Sequence, residues 1–244
     1  MNNPVSVRVE NVSRRFGKIR ALDNVSMNFA AGRLHGMIGP AGSGKTTMLR
    51  IMLELLNKDS GSVTYYEDGA PIAFEDIRDE IAYMPEKQSL YADLSIEEHM
   101  RFFADMYAID KKTYAERAEK LYGITRLDKF KDRPAGKLSG GMYKKLGLMC
   151  SLLRSPRVVL LDEPTNGVDP ISRREFWDVL NQSAADGILV IMTTAYMDEA
   201  ERCAEVHLIE NGVVLDEGDP AELLKKEQTD NFDQFFIKRA RKDV

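Results

Sequence analysis

A glycine-rich segment beginning at Gly39 has the residue types and spacing that bind nucleotide phosphates. It matches the pattern G-x-x-x-x-G-K-[ST], and its members are Gly39, Pro40, Ala41, Gly42, Ser43, Gly44, Lys45 and Thr46. Glycines let backbone N–H groups approach phosphate oxygens, and the helix that follows adds the positive end of its dipole. The pattern places Lys45 at the β- and γ-phosphates, the Thr46 hydroxyl on Mg²⁺, and Thr47 at the α-phosphate. We therefore predict a site for a nucleoside triphosphate with magnesium.

Two adjacent carboxylates could supply the rest of the chemistry. The apolar residues 158–161 lead directly into Asp162 and Glu163. Charges at the end of a buried strand are costly unless something pairs with them, and in a phosphate-loop protein that partner is Mg²⁺. We predict that Asp162 holds Mg²⁺ through water and that Glu163 orients or deprotonates the attacking water. The alternative, two acids that merely end a strand in a solvated loop, is disfavoured by the phosphate loop upstream.

The elements that must position these groups alternate between strands and helices. The segment 34–38 predicts a buried strand that enters the loop, and the apolar residues from Met48 to Leu56 predict one face of the next helix. Strands without polar alternation, separated by helices, indicate a mostly parallel sheet with both faces covered. Further strands are predicted at 5–9, 25–29, 62–66, 81–84, 157–161 and 188–192, and a hairpin at Asn211-Gly212. Helices are predicted at 95–107, where Ser95 and Glu98 form the cap, at 111–122 and at 140–153. Another helix is predicted to be capped by Ser172 and Glu175, and a final helix to begin at Asp219-Pro220.

Composition restricts the class of protein. The 244 residues carry a formal net charge of −5 with both signs interspersed, so we expect no nucleic-acid partner. Residues 1–10 lack the pattern of a secretory signal, and no apolar run approaches the ~20 residues that a membrane helix needs. Cys150 and Cys203 match no metal-ligand spacing and are expected to be buried thiols in a reducing compartment.

The segment Leu138-Ser139-Gly140-Gly141 distinguishes among phosphate-loop families, because it resembles the signature motif of ABC transporter ATP-binding cassettes. It opens a predicted helix some twenty residues before the carboxylate strand, as in that family. The resemblance covers nearly the whole chain and is closest to cassettes of bacterial ABC-2-type exporters, particularly the first cassette of tandem-cassette efflux ATPases. It implies that ATP is the nucleotide, and that Ser139, Gly140 and Gly141 contact it from a second cassette. It also places Phe16 against adenine and Asp169 in the D-loop at the interface between two cassettes.

The resemblance also implies a fold and partners. We expect the α/β fold of ABC-type P-loop NTPases: a mostly parallel core sheet, an N-terminal antiparallel β subdomain and an inserted helical subdomain. The cassette would span 1–224, with the insertion at about 87–155, and 225–244 would be a helical or flexible basic tail, most simply solvated over its last dozen residues. Expected partners are a second cassette, in a homodimer or heterodimer, and integral membrane subunits, which would dock near Gln88–Glu97. The expected location is cytoplasmic, on the inner face of the cell membrane.

Three positions depart from the family pattern. The glutamine expected after β-strand residues 81–84 is Glu86, which could still reach Mg²⁺ or the attacking water; Gln88 lies two positions late. Met142 replaces a glutamine in the signature, and a mild effect is expected. Ala195 stands where the family has a switch histidine that contacts the γ-phosphate. The three histidines of the chain, His35, His99 and His207, lie elsewhere and are expected to be structural or exposed.

The leading functional interpretation is an ATPase that powers an ABC transporter, most simply an exporter, through ATP-driven cassette dimerisation. One alternative is a soluble ABC ATPase that acts on DNA or ribosomes, which the single cassette and the absence of a basic face oppose. The other is a nucleotide-binding, weakly hydrolysing partner in an asymmetric pair, which Ala195 favours and which Lys45, Asp162 and Glu163 oppose. The transported substrate cannot be read from this chain.

Overall fold

Two β-sheets form the framework of the protein. The computed structural model describes residues 3–87 and 90–240. The N-terminal sheet is antiparallel with the order β2-β1-β4-β5, and the core sheet has the order β10-β9-β3-β8-β7-β6. The first sheet contains β1 (Val5–Phe16), β2 (Ile19–Phe29), β4 (Ser60–Glu67) and β5 (Ala70–Ile72). The second contains β3 (Leu34–Ile38), β6 (Ile81–Met84), β7 (Val158–Asp162), β8 (Leu189–Thr194), β9 (Glu205–Glu210) and β10 (Val213–Gly218).

The core sheet is parallel except at one edge. Strands β6, β7, β8, β3 and β9 run in one direction, and β10 pairs antiparallel with β9. Every residue of β3, β7 and β8 is buried, as expected for strands covered on both faces. The turn between β9 and β10 uses Asn211 (φ +48°) and Gly212 (φ +78°), which confirms the predicted hairpin.

The helices cover this sheet and form a separate group between β6 and β7. Their bounds are α1 (Lys45–Met52), α2 (Phe74–Ile77), α3 (Ile96–Met106), α4 (Lys111–Thr125), α5 (Gly140–Leu152), α6 (Pro170–Ala185), α7 (Pro220–Glu227) and α8 (Phe232–Ala240). The predicted capping box is present, because Ser95 Oγ accepts from Glu98 N and the Glu98 carboxylate accepts from Ser95 N at 2.7 Å. Helices α3, α4 and α5 make up the predicted helical subdomain. No helix in the described ranges is long and apolar enough to span a membrane.

Two helix predictions were wrong in their bounds. Helix α1 ends at Met52, so Leu55 lies outside it and is 68% exposed, although its apolar character continues the pattern. Helix α6 begins at Pro170, and its N-cap is Asp169 rather than Ser172, because the Asp169 carboxylate accepts from the N–H groups of Ile171 and Ser172. A proline at the first position lacks the N–H that would otherwise need a partner.

The C-terminal segment packs on the core. Helix α7 is followed by α8, so the helix that begins at Pro220 is not the final one. Phe232 and Phe235 of α8 are 1% and 0% exposed and belong to the main hydrophobic cluster. The prediction that the last dozen residues form a solvated tail is therefore wrong for the part up to Phe235. Two aromatic rings three residues apart lie on one face of a helix, and this face is buried.

Candidate nucleotide-binding site

The phosphate loop lies at the carboxyl edge of the core sheet, between β3 and α1. Gly39 N donates to Thr194 O at 3.2 Å, which attaches the start of the loop to the end of β8. A Cβ on Gly39 would lie 1.9 Å from Ile209 O, so only glycine fits there. Gly44 has φ +108°, and its helix α1 has no side-chain cap, so the first N–H groups of α1 are available to an anion.

Lys45 is turned inward across the loop. Its Nζ donates to Gly39 O at 2.7 Å and to Pro40 O at 2.9 Å, and lies 3.3 Å from Glu163 Oε1. The side chain is only 5% exposed. The ammonium group therefore lies between the loop and the carboxylate that follows β7, where it faces both.

Asp162 is the buried acid of this site, at 1% exposure. Its Oδ1 accepts from Thr46 Oγ1 at 3.0 Å and from Thr193 Oγ1 at 2.8 Å. Burial, and secondarily the Asp162 carboxylate, raises the pKa of Tyr83. The structure thus brings together two of the three predicted magnesium ligands, Thr46 and Asp162, and no hydrogen bond of the described residues joins Glu86 to them.

Glu163 occupies a strained backbone position beside them. Its φ of +46° lies in the left-handed region, which is costly for a residue with a Cβ and is characteristic of functional sites. Its N–H donates to Thr193 Oγ1 at 2.9 Å, and its Oε2 accepts from Ala195 N at 3.2 Å. Thr193 therefore orients both acids. Sequence reasoning missed this role, since only the pairing of Asp162 with Thr193 across two strands reveals it.

A second missed residue is Lys144 on α5. Its Nζ donates to the backbone oxygen of Glu86 at 2.8 Å. Burial lowers the pKa of Lys144, while the carboxylates of Glu86, Asp162 and Glu163 act in the opposite direction. The lysine is therefore hydrogen-bonded to the segment that follows β6 and lies within electrostatic range of the acids of the site. The Glu86 carboxylate lies in an exposed turn, and no hydrogen bond or ion pair of the described residues joins it to Thr46 or Asp162.

The residues present fit a nucleotide and magnesium. Ser43 Oγ is buried in the loop and has no hydrogen-bond partner among the described residues, as expected for a donor that faces a phosphate. Thr46 and Asp162 form the hydroxyl and carboxylate oxygen set that Mg²⁺ prefers. Thr47, the predicted α-phosphate donor, is half-buried in the first turn of α1.

The signature residues form a second cluster. Ser139 caps α5 by accepting from Met142 N at 3.4 Å, and both Ser139 and Gly140 are exposed. A Cβ on Gly141 would lie 2.4 Å from the Ser172 side chain and 3.1 Å from the Asp169 carboxylate, so this glycine allows α5 to meet the start of α6. Across the described ranges, no hydrogen bond or ion pair links Ser139, Gly140 or Gly141 to residues 39–46.

Comparisons with known proteins identify the family. The family model described as ABC transporter matches residues 22–166. A Nod factor export ATP-binding protein I from Ralstonia nicotianae is 33% identical over 220 residues, which are 90% of this chain and 68% of the relative. This chain belongs to the ABC transporter family, as an ATP-binding cassette.

Other relatives extend the comparison. The probable multidrug ABC transporter ATP-binding protein YbhF of Escherichia coli is 43% identical over 199 residues, covering 79% of the cassette but 33% of the relative, so the cassette spans about a third of that protein. A solved ATP-binding subunit of an ABC transporter superposes with a TM-score of 0.82 at 25% identity, covering 96% of this chain and 99% of that one. A nucleotide-free ATP-binding cassette gives a TM-score of 0.76 at 24% identity, covering 93% and 94%.

Phe16 lies at the end of β1, on the hairpin of the N-terminal sheet. Its side chain is 45% exposed, and the Arg14 guanidinium lies 4.9 Å from the centre of its ring. An exposed ring at this position is available for stacking. In the described part of the cassette, the one ring interaction of Phe16 is with Arg14.

The segment that carries Ala195 is hydrogen-bonded to residues 165–170, which the family resemblance identifies as the D-loop. Tyr196 OH donates to Asn166 Oδ1 at 3.2 Å, and Thr165 Oγ1 donates to the buried Glu199 at 3.0 Å. Ala195 forms its hydrogen bond to Glu163 through its backbone N–H, because its side chain has no hydrogen-bonding group. The cassette's histidines are all fully buried, which rules out exposure for His35, His99 and His207 alike.

Proposed function

We propose that the cassette binds Mg-ATP and hydrolyses it to ADP and phosphate, and that this reaction powers an ABC transporter of the exporter type. The observation that carries the proposal is the convergence of Lys45, Asp162 and Glu163 at the carboxyl edge of the core sheet. Lys45 Nζ lies 3.3 Å from Glu163 Oε1, and Asp162 accepts from Thr46. The relatives named for multidrug transport and Nod factor export support the exporter class.

In this proposal the residues have separate roles. Lys45 and the backbone N–H groups of the loop bind the β- and γ-phosphates, and Ser43 adds a hydroxyl donor. Thr46 and Asp162 would hold Mg²⁺, which neutralises phosphate charge, and Glu86 is proposed to approach the ion or the attacking water. Glu163 accepts the proton of the water that attacks the γ-phosphorus, and ADP leaves with the electron pair of the broken P–O bond.

Two cassettes would form the complete site. Ser139 and Gly140 are exposed, Gly141 packs against Ser172 at the start of α6, and Asp169 caps that helix beside them. We propose that they contact the nucleotide held by a second cassette, with Asp169 acting as part of the interface. Phe16 is proposed to stack on adenine.

We further propose separate membrane subunits as partners, on the cytoplasmic face of the cell membrane. An exposed apolar patch on the helical subdomain supports this: Tyr91 is 55% exposed, Phe102 39% and Met106 55%, and the rings of Tyr91 and Phe102 are 5.3 Å apart. The patch adjoins the predicted docking segment, of which Gln88 and Ser89 lie outside the described residues. Hydrolysis would alter cassette pairing and move this patch with it.

The test of hydrolysis is Glu163→Gln in the purified chain. We expect phosphate release to fall by about 10²–10⁴-fold, because the amide cannot accept the proton, while Mg-ATP binding by calorimetry persists. Undiminished phosphate release from this variant would contradict the assignment of Glu163. Absence of Mg-ATP binding by the native chain would contradict the proposal as a whole.

A specific observation supports a second candidate, the weakly hydrolysing partner of an asymmetric pair. Ala195 offers the γ-phosphate no side-chain hydrogen bond, and one lost transition-state donor costs about 2.7–4 kcal/mol. Ala195→His is therefore expected to raise turnover by about 10²–10³-fold. Ala195→Leu adds bulk without a donor and serves as the control. An equal rate in the native and histidine forms would remove this candidate.

A further inference from the structure

Four polar residues share one face of the core sheet, away from the phosphate loop. His35 pairs with Glu205 and Met37 pairs with His207 between β3 and β9, so His35, Glu205 and His207 point to the same side. Glu217 of β10 pairs with His207 and joins them. His35 precedes Gly39 by four residues, which is about 13 Å along a strand. The proposed hydrolysis uses none of these groups.

The neighbours of the two histidines determine which ring nitrogens carry hydrogen. His35 Nε2 lies 3.1 Å from Ala30 O, an acceptor, so this nitrogen is the donor. His207 Nδ1 lies 2.9 Å from Glu217 Oε2, so it donates to that carboxylate. A neutral imidazole carries one N–H. His35 Nδ1 and His207 Nε2 therefore both present lone pairs, and they face each other at 3.3 Å.

Two opposed lone pairs need a cation between them. Zinc bonds to nitrogen at about 2.0–2.1 Å, and tetrahedral ligands then lie about 3.3 Å apart, as these two nitrogens do. A third donor is at hand, because Glu205 Oε2 lies 3.8 Å from His35 Nδ1, and one ligand atom from each of the three residues lies within 4.8 Å of the others.

The surroundings match those of metal-binding histidines. The second nitrogen of each ring is held by a carbonyl or a carboxylate, which is how such ligands are usually oriented. Both rings are fully buried and pack on Phe29, with ring centres 5.4 and 4.6 Å away. The Glu205 side chain is 24% exposed and gives an ion access from solvent.

We propose that His35, His207 and Glu205 bind a divalent transition-metal cation of the zinc class, with water in a fourth position. The ion would join β3, the strand that enters the phosphate loop, to the β9–β10 hairpin. Arg33 lies 3.9 Å from Glu205 and is 58% exposed, so it can turn into solvent when the carboxylate binds the ion. Glu217 remains as a balancing negative charge.

The competing occupant is a proton shared between the two rings. A shared proton requires only His35 and His207, whereas a metal ion also requires Glu205. The carboxylate of Glu205 therefore separates the two explanations.

The experiment uses the full chain after removal of metals with a chelator. Co²⁺ is titrated in excess Mg²⁺, which occupies the oxygen ligands near Asp162, and visible absorption reports the coordination geometry. We expect one Co²⁺ with the intense bands of tetrahedral coordination and displacement by Zn²⁺. Absence of these bands, with no Zn²⁺ binding by calorimetry, overturns the proposal.

Three matched variants sharpen the test. Glu205→Gln keeps the shape of the side chain and is expected to weaken Zn²⁺ binding by at least about 10-fold. Glu217→Gln removes the carboxylate that holds His207 and is expected to weaken Zn²⁺ binding by about 10-fold. Glu210→Gln lies at the other end of β9 and is expected to bind as the native chain does. Circular dichroism verifies that each variant folds. Two results would overturn the metal site and leave a shared proton as the explanation. One is equal Zn²⁺ affinity in the native and Glu205→Gln chains. The other is a set of ring ¹⁵N shifts that show a shared proton and do not change when Zn²⁺ is added.

Discussion

The phosphate loop (residues 39–46) and the signature turn (Ser139, Gly140 and Gly141) differ in how many interactions their functional groups make within their own chain. Around the loop, Lys45, Asp162 and Glu163 are bonded to residues of three adjacent strands and their connections. In the signature turn, Ser139 and Gly140 are exposed, Ser139 caps α5, and Gly141 packs against Ser172 and Asp169 at the start of α6. Both segments begin helices, but only the phosphate loop combines a buried lysine with two acids that follow a buried strand. Under the proposed function, the loop provides the chemistry and the signature turn faces the nucleotide of a second cassette.

Substitution of Gly141 is expected to have the largest effect on the signature turn. The Cβ of Gly141→Ala would lie 2.4 Å from Ser172, and such overpacking costs about 1–3 kcal/mol of unfolding free energy. We expect a lower melting temperature and reduced turnover, with unchanged ATP affinity in the isolated chain, because the loop is untouched.

Gly123→Ala is the matched control, because this helical glycine has nothing within 4 Å of an added Cβ. The control should be neutral or stabilising by up to about 1 kcal/mol. Weakened ATP binding by the isolated Gly141→Ala chain would contradict the view that the phosphate loop binds nucleotide independently of the signature turn of the same chain.

Thr193→Val tests the loop side of the comparison. The change removes the donor to Asp162 Oδ1 and the acceptor of Glu163 N, and an unsatisfied buried group costs about 1–3 kcal/mol. We expect roughly 10-fold slower turnover and weaker Mg²⁺ dependence, measured by phosphate release across a magnesium titration. Thr64→Val in β4 makes the same chemical change outside the site and should leave both quantities unchanged. A normal magnesium profile in Thr193→Val would show that Asp162 needs no support from β8.

Lys144→Met is expected to have the smallest effect, and it probes the connection between the two regions. Loss of the ammonium group frees the Glu86 backbone oxygen and removes a positive charge facing Asp162 and Glu163. We expect turnover to fall by a factor of a few, consistent with about 1 kcal/mol for one hydrogen bond, and Lys144→Arg to retain most of it. If Met and Arg behave alike, the charge has no positioning role.

Local sequence patterns predicted the elements that depend on local chemistry. The strand–loop–helix around Gly39, the capping box at Ser95 and the turn at Asn211 are all confirmed, because each depends on backbone requirements of a few consecutive residues. The family resemblance then predicted the order of the subdomains. The chain's own pattern also located Asp162 and Glu163 at the end of a buried strand.

The remaining features depend on tertiary contacts. Thr193 contacts both acids from a neighbouring strand, and Lys144 lies within electrostatic range of them on another helix. No spacing along the chain encodes that proximity. The apolar residues after Met52 prolong a helical pattern that the backbone does not follow. The C-terminal segment is rich in charged residues, and this composition led to the prediction of a solvated tail although two rings of α8 are buried. The roles of all the predicted site residues toward nucleotide, including those of Phe16, Glu86 and Asp169, stay predictions.

Helix α8 has a consequence for the segment that carries Ala195. The short 3-10 helix at Met197–Arg202 follows directly after that position and packs against α8, and its Ala200 is buried in the same cluster as Phe232 and Phe235. Any displacement of the Ala195 segment therefore has to carry the C-terminal helix with it or open a gap beneath two aromatic rings. Helix α8 thus restrains the segment that carries Ala195.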